Sequence, residues 1–287
     1  MEIPAQIKEA LASANSFLSA QRTPTPRLAA EVLLMYVLGS DRAYLYAHPE
    51  RELTPDERDR YEQALLARAR AVPTQYITGH QEFWGMDFLV SPAVLIPRPE
   101  TEHVIETVLE LAKRNEQSML RMIDVGTGSG CIAVALAKEL PGAVLSAVDI
   151  SEDALKLAKA NALRLHVSER IEFQRNDLLA GISGDHFDFV VSNPPYVGTL
   201  ERETLAREVR DYEPHTALFA GESGMELIRR LVPQAWTALK PGGFLVMEIG
   251  SDLSTQVMNL LKEWRNPTLK YDLQSLPRVV SAQKPAS

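Results

Sequence analysis

The chain has 287 residues, 45% apolar and 24% charged, the proportions of a globular protein with a buried core, which excludes a disordered chain and a collagen-like fibre. Thirty Lys and Arg against 38 Asp and Glu leave a formal charge of −8. No Lys/Arg block provides the electrostatic footprint of a protein that holds a long duplex, so nucleic acid is disfavoured as a direct partner.

The single cysteine, Cys131, excludes an internal disulfide, and His48, His80, His103, His166, His186 and His215 fall into no zinc-ligand spacing. A reducing compartment and no metal are expected. The first residues, MEIPAQIKEALASANSF, carry Glu2 and Glu9 and match neither a signal nor a transit pattern, so the expected location is the cytoplasm. The most apolar early stretch, LAAEVLLMYVLG (28–39), is interrupted by Glu31 and is far short of the ~20 apolar residues that span a bilayer. It reads as a buried helix, with no membrane as partner.

Residues 1–75 have apolar positions at helical spacing, Ile7, Ala10 and Leu11, then Leu28, Val32, Leu33, Tyr36 and Val37, and predict a helical bundle. Thr54-Pro55-Asp56-Glu57 predicts a helix start with Thr54 as cap and Pro55 in the first turn, the helix running to about Arg70. Residues 76–97, rich in aromatics, Gly and Pro, predict a hairpin linker around Gly85. From 98 to 287 helices at 100–114, 130–140, 152–165, 222–239 and 253–264 alternate with strands at 120–125, 143–149, 170–174, 187–192 and 243–249. That alternation predicts an α/β domain with a mostly parallel sheet covered on both faces, and a loosely held tail after Leu276.

The strand MIDV is followed by Gly126-Thr127-Gly128-Ser129-Gly130 and at once by a helix. G-x-G-x-G departs by one position from the dinucleotide fingerprint, and the Gly-Lys-Ser/Thr ending of a P-loop is missing. Glycines let backbone turn sharply beside a ligand, and a helix start offers free N–H groups to a carboxylate. The loop suits the methionine half of S-adenosylmethionine, with a tight connection of no further role as the alternative. Asp149, ending the next strand, falls near the ~20-residue offset at which a carboxylate meets ribose hydroxyls. Asp177 and Leu178, after IEFQRN, stand where a third loop borders an adenine ring, although Asp177 also reads as a simple turn residue.

FDFVVS runs into Asn193-Pro194-Pro195-Tyr196 at the carboxyl edge where open α/β sheets place ligands. Methylating a planar NH₂ group requires its delocalised nitrogen to pyramidalise. Acceptors from the Asn193 side chain and the Pro194 carbonyl can hold the two N–H hydrogens and aim the lone pair at a methyl donor. Tyr196 can stack on the flat group. A Pro-Pro turn capped by Asn is the alternative reading.

These motifs, with PTQYITGHQEFWGMDFLV, LIPRPETE, EVRDYEPHTAL and LKPGGFLVMEIG, resemble the HemK-type protein-(glutamine-N5) methyltransferases over nearly the whole chain. The resemblance implies a small helical domain that docks the protein substrate, a β-hairpin linker, and a Rossmann-like, seven-stranded class I S-adenosylmethionine methyltransferase domain. It implies methyl transfer to the glutamine of the Gly-Gly-Gln tripeptide in peptide-chain release factors 1 and 2, yielding S-adenosylhomocysteine. Gly126 to Gly130, Asp149, Leu178 and Asn193 would contact the cofactor, and Asn193, Pro194, Pro195 and Tyr196 would grip the substrate. Phe83 and Arg98-Pro99-Glu100 would border the mouth of the site. Loops of the Asn-Pro-Pro-Tyr kind also serve exocyclic amines, so adenine N6 or guanine N2 of nucleic acid is the alternative substrate.

Overall fold

The computed structural model describes residues 3–113, 119–184 and 186–286; Glu2, and Arg114 at the end of the helix expected over 100–114, lie outside them. The chain divides into two compact units, Met1–His80 with Ala206–Tyr212, and Gln81–Leu205 with Glu213–Ser287.

The first unit is helical: α1 (Ile7–Ala20), α2 (Pro26–Leu38), α3 (Arg42–Ala47), α4 (Pro55–Ala69) and α5 (Thr74–Thr78). The start of α4 is a complete capping box, in which Thr54 Oγ1 accepts from the Glu57 N–H and Glu57 from the Thr54 N–H. Ile7, Leu18, Leu33, Leu34, Tyr61 and Leu65 form its core, and the Tyr61 hydroxyl donates to the Ala30 carbonyl at 2.9 Å. Helix Arg207–Tyr212, far along the chain, belongs to this unit because buried Arg68 pairs with Glu208 at 2.7 Å and the Tyr212 hydroxyl donates to the Arg70 carbonyl.

A hairpin of β1 (His80–Phe83) and β2 (Met86–Leu89) leads into the second unit. Its turn, Trp84-Gly85, has φ of 53° and 66°, positive at both central positions as a type I′ turn requires. There follow α6 (Glu102–Ala112), β3 (Arg121–Val125), α7 (Cys131–Glu139), β4 (Val144–Asp149), α8 (Glu152–Arg164), β5 (Ile171–Arg175), β6 (Phe187–Ser192), α9 (Arg207–Tyr212, in the first unit), α10 (His215–Leu218), α11 (Glu226–Ala238), β7 (Leu239–Glu248), α12 (Ser254–Leu260), β8 (Arg265–Tyr271) and β9 (Pro277–Gln283).

The sheet has seven strands in the order β5-β4-β3-β6-β7-β9-β8, parallel from β5 through β7, with β9 antiparallel to both neighbours. Two hydrophobic clusters pack on its faces. One gathers α6 and α7 around Met122, Leu145 and Phe189, the other α11 and α12 around Ile123, Val190 and Leu245. The strand expected over 243–249 begins earlier, at Leu239, and its pairing with β6 shifts register between Phe187 and Phe189, opposite Pro241-Gly242-Gly243.

The tail after Leu276 is not loosely held. It forms β9, whose Val279 and Val280 are fully buried between β7 and β8. Its partner β8 escaped notice because it is an edge strand, carrying Arg265, Pro267 and Lys270 as such strands do. Among the described residues no helix is long and apolar enough to cross a membrane.

Candidate active site

Parallel register brings the candidate residues together. Val125 pairs with Val148 and with Ser192, and Asp149 with Arg175, so the loops leaving β3, β4, β5 and β6 meet at one edge of the sheet. There they line a cavity of about 350 Å³, within the usual size of a small-molecule site. Gly126, Thr127, Gly128, Ser129, Asp149, Asp177, Leu178, Asn193 and Pro195 all contribute to its wall. Gly130, Pro194 and Tyr196 do not.

Gly126 and Gly128 have φ of 73° and 54°, and a Cβ built on either would meet no protein atom within 4 Å. The loop therefore presents bare backbone with room beside it, the space a ligand's chain would fill. Gly130 serves packing instead. A Cβ there would lie 3.1 Å from the Ala158 Cβ, so its missing side chain lets the start of α7 approach α8.

Beneath the loop lies Asp124, 1% exposed, which the sequence pattern did not single out. Its Oδ2 accepts from the Thr127 hydroxyl at 2.7 Å and the Ala133 N–H at 3.2 Å, while the buried Oδ1 has no hydrogen-bond partner among the described residues. Burial pushes this carboxyl up to about 7. Cys131 is buried too, its thiol pushed up to about 12 by the same cause, so it stays protonated.

Asp149 faces the cavity with both oxygens already accepting backbone N–H groups, Gly128 at 2.9 Å and Ser151 at 2.9 Å. Each oxygen keeps a lone pair for a diol. Ser151 caps α8 by accepting from the Ala154 N–H, which leaves Asp149 free of that duty. Asp177 is bound at 2.6 Å by Arg230 of α11, a cavity-lining residue that nothing in the sequence connected with the site.

Asn193 stands at the end of the fully buried β6. Its Nδ2 donates to the Thr101 hydroxyl at 3.0 Å; that hydroxyl donates to Glu248 Oε2 at 2.6 Å, and Glu248 Oε1 accepts from the Tyr196 hydroxyl at 3.1 Å. No described residue donates to Asn193 Oδ1 or to the Pro194 carbonyl. Pro194 itself is buried, and the Tyr196 ring packs into the α11 and α12 cluster, its phenol kept protonated by burial beside Glu248.

Glu248 is 2% exposed, and burial raises its carboxyl above the ordinary range although two hydroxyls donate to it. The signal for it was present in the sequence as an acid inside an apolar strand, VMEIG, where a charge needs partners.

Val94, Leu95 and Pro97 form another wall, held by the almost fully buried Glu213, which accepts from the Ile96 N–H at 3.3 Å and pairs with Arg98. Arg98, Pro99 and Glu100 do not themselves line the cavity. Phe83, placed at the mouth by the resemblance, is 1% exposed in the core, edge-on to Phe88 with ring centres 6.1 Å apart. Thr216, Ala217 and Phe219, from α10 and just beyond, close a further side.

The bare glycine backbone, a carboxylate with spare lone pairs and the apolar side chains of Leu178, Ile150 and Leu227 lining the same cavity are residue types that suit the amino-acid, ribose and base portions of S-adenosylmethionine. Residues 9–79 match the family model "PrmC N-terminal domain", and residues 106–209 match "Methyltransferase small domain". The release factor glutamine methyltransferase of Koribacter versatilis is 55% identical over 98% of this chain and 99% of its own. The protein of that name from Moorella thermoacetica is 44% identical over 89% of each chain. Among solved structures, the catalytic domain of hMettl16 in complex with MAT2A 3'UTR hairpin 6 superposes with a TM-score of 0.57 at 19% identity, covering 84% of this chain and 92% of that one, a likeness of fold. With more than half its residues shared across the full length of such a relative, carried on a seven-stranded class I methyltransferase sheet, the chain belongs to the release factor glutamine methyltransferase family.

Proposed function

We propose that the protein methylates the side-chain amide nitrogen (N5) of the glutamine in the Gly-Gly-Gln motif of peptide-chain release factors 1 and 2, in the cytoplasm, using S-adenosylmethionine and leaving S-adenosylhomocysteine. When bound, S-adenosylmethionine supplies an electrophilic methyl on a sulfonium sulfur. Gly126 to Ser129 hold its amino-acid end, Asp149 accepts from the ribose hydroxyls, and Asp177 and Leu178 border the base.

One observation carries the reading: Asn193 commits its Nδ2 to Thr101, while among the described residues nothing donates to its Oδ1 or to the carbonyl of Pro194, the next residue. Two such acceptors suit the two hydrogens of a carboxamide NH₂. Holding both hydrogens orients the nitrogen lone pair and favours the positive charge that grows on nitrogen as the bond to carbon forms. The proton then released from the methylated nitrogen is acidic enough to pass to water, so no general base is required. Pro195 borders the glutamine from the cavity wall.

Adenine N6 or guanine N2 of nucleic acid is not favoured. The formal charge is −8, and relatives that match over 98% and 89% of the chain carry the release factor name. The test is to incubate the pure protein with labelled S-adenosylmethionine and either release factor or total nucleic acid. A one-methylene mass increment on the Gly-Gly-Gln peptide supports the reading, and label entering only nucleic acid overturns it.

A further inference from the structure

We infer that Thr101 and Glu248 are positioning residues for this reaction: the Glu248 carboxylate, acting through the Thr101 hydroxyl, dictates which end of the Asn193 carboxamide faces the amide to be methylated. The inference presupposes amide methylation at Asn193 and adds how that side chain is held in its productive orientation.

A carboxamide has an acceptor end and a donor end of nearly equal size, so shape alone does not choose between them. The choice is made by the count of hydrogens. A carboxylate only accepts, and Glu248, buried at the end of β7, takes a hydrogen from Tyr196 on one oxygen and from Thr101 on the other. The Thr101 hydroxyl has one hydrogen, and at 2.6 Å from Glu248 it is spent. What Thr101 offers Asn193 is therefore a lone pair, which only Nδ2–H can use; the bond is 3.0 Å. Oδ1 is forced to the opposite side. Turned the other way, Asn193 would present NH₂ to an NH₂ substrate, donor against donor, and the acceptor pair would be lost.

Burying a carboxylate at 2% exposure costs stability that a neutral side chain of similar size would not. A glutamine in that place could donate to Thr101, free the Thr101 hydrogen to rotate toward Asn193, and remove the preference. An ionised carboxylate, which can only accept, is thus the group that makes the orientation unambiguous.

The test uses the full chain with intact release factor and saturating labelled S-adenosylmethionine, comparing wild type with Thr101→Val, Thr101→Ser, Glu248→Gln, Asn193→Ala and the double variant Asn193→Ala/Thr101→Val. Turnover, KM for release factor and calorimetric affinity for S-adenosylhomocysteine are read for each. Thr101→Val and Glu248→Gln are expected to lower kcat on the order of 10–100-fold while both binding constants hold. Thr101→Ser restores turnover, and Thr101→Val costs nothing further once Asn193 is Ala. Wild-type kcat in Thr101→Val, a serine variant as slow as the valine one, or losses that add fully in the double variant would overturn the inference with the methylation reading intact. The Val and Ser pair decides the matter should Glu248→Gln fail to fold. A wild-type protein that leaves release factor unmodified would instead remove the function reading, and this inference with it.

Discussion

A Cβ on Gly224 would stand 2.3 Å from the carbonyl oxygen of Tyr196, closer than any side chain tolerates, and Gly224 has a φ of 77°. The contact is reciprocated at Gly198, where a Cβ would lie 2.7 Å from the Glu222 carbonyl oxygen. Bare backbone on both segments therefore seats the loop that follows Asn193. Gly224→Ala is expected to push this loop off its seat and lower turnover on the order of 100-fold, with circular dichroism near that of wild type. Full turnover would mean that the loop absorbs the methyl group.

Asn161 is fully buried on α8 and ties two distant segments: Nδ2 donates to the Ser129 carbonyl at 2.9 Å and the Leu89 carbonyl at 3.0 Å, and Oδ1 accepts from the Leu89 N–H at 2.8 Å. Asn161→Leu keeps the volume and strands these buried groups, so unfolding free energy should drop by about 3 kcal/mol in urea titration. A neutral result would show that the segments find other partners.

The buried Asp124 carboxyl gives stability a pH dependence. Its folded value of about 7 lies above the ~3.9 of an unfolded aspartate, so between those limits the unfolded chain has released a proton that the folded chain retains. Stability contributed by this group is complete below pH ~4 and falls as pH rises toward 7, by up to about 1.4 kcal/mol per unit. Asp124→Asn cannot titrate. Its stability should decline less than wild type's between pH 5 and 7 in denaturant melts, and parallel curves would exclude Asp124 as the titrating group.

Asp149→Ala removes the carboxylate proposed for the ribose and also the acceptor for the Gly128 and Ser151 N–H groups. Calorimetric affinity for S-adenosylhomocysteine should weaken at least about tenfold, the worth of one or two hydrogen bonds to a charged group. Unaltered affinity would place the ribose elsewhere.

Much of this organisation could be read from the chain itself, since β6 is mostly apolar and runs up to Asn193, and the glycine loop separates a clear strand from a clear helix. Local pattern carried those elements because a central parallel strand has no polar face to confuse it. It missed β8, whose edge position favours charged and proline residues, and it mistook β9 for a tail because β9 pairs with that missed strand and with β7, into the sheet between them. At the site, the glycines, Asp149 and Asn193 were legible because backbone turns and loop ends mark them. Thr101, Asn161 and Arg230 were not, and Glu248 showed only as an acid in an apolar strand with its partners unnamed, since each acts through a residue more than 30 positions away and chain pattern holds no record of distance in space. Tyr196 shows the converse: its residue type suits stacking, but its hydroxyl is drawn to a buried acid that only the fold brings near.

Replacing Asn193 with Ala and measuring single-turnover methylation of intact release factor bears most directly on the acceptor pair. The rate should fall by about 10²–10³, as when one preorganised partner of a transition state is removed, while S-adenosylhomocysteine affinity changes far less. A variant that methylates glutamine at nearly the wild-type rate would contradict the role assigned to Asn193 Oδ1.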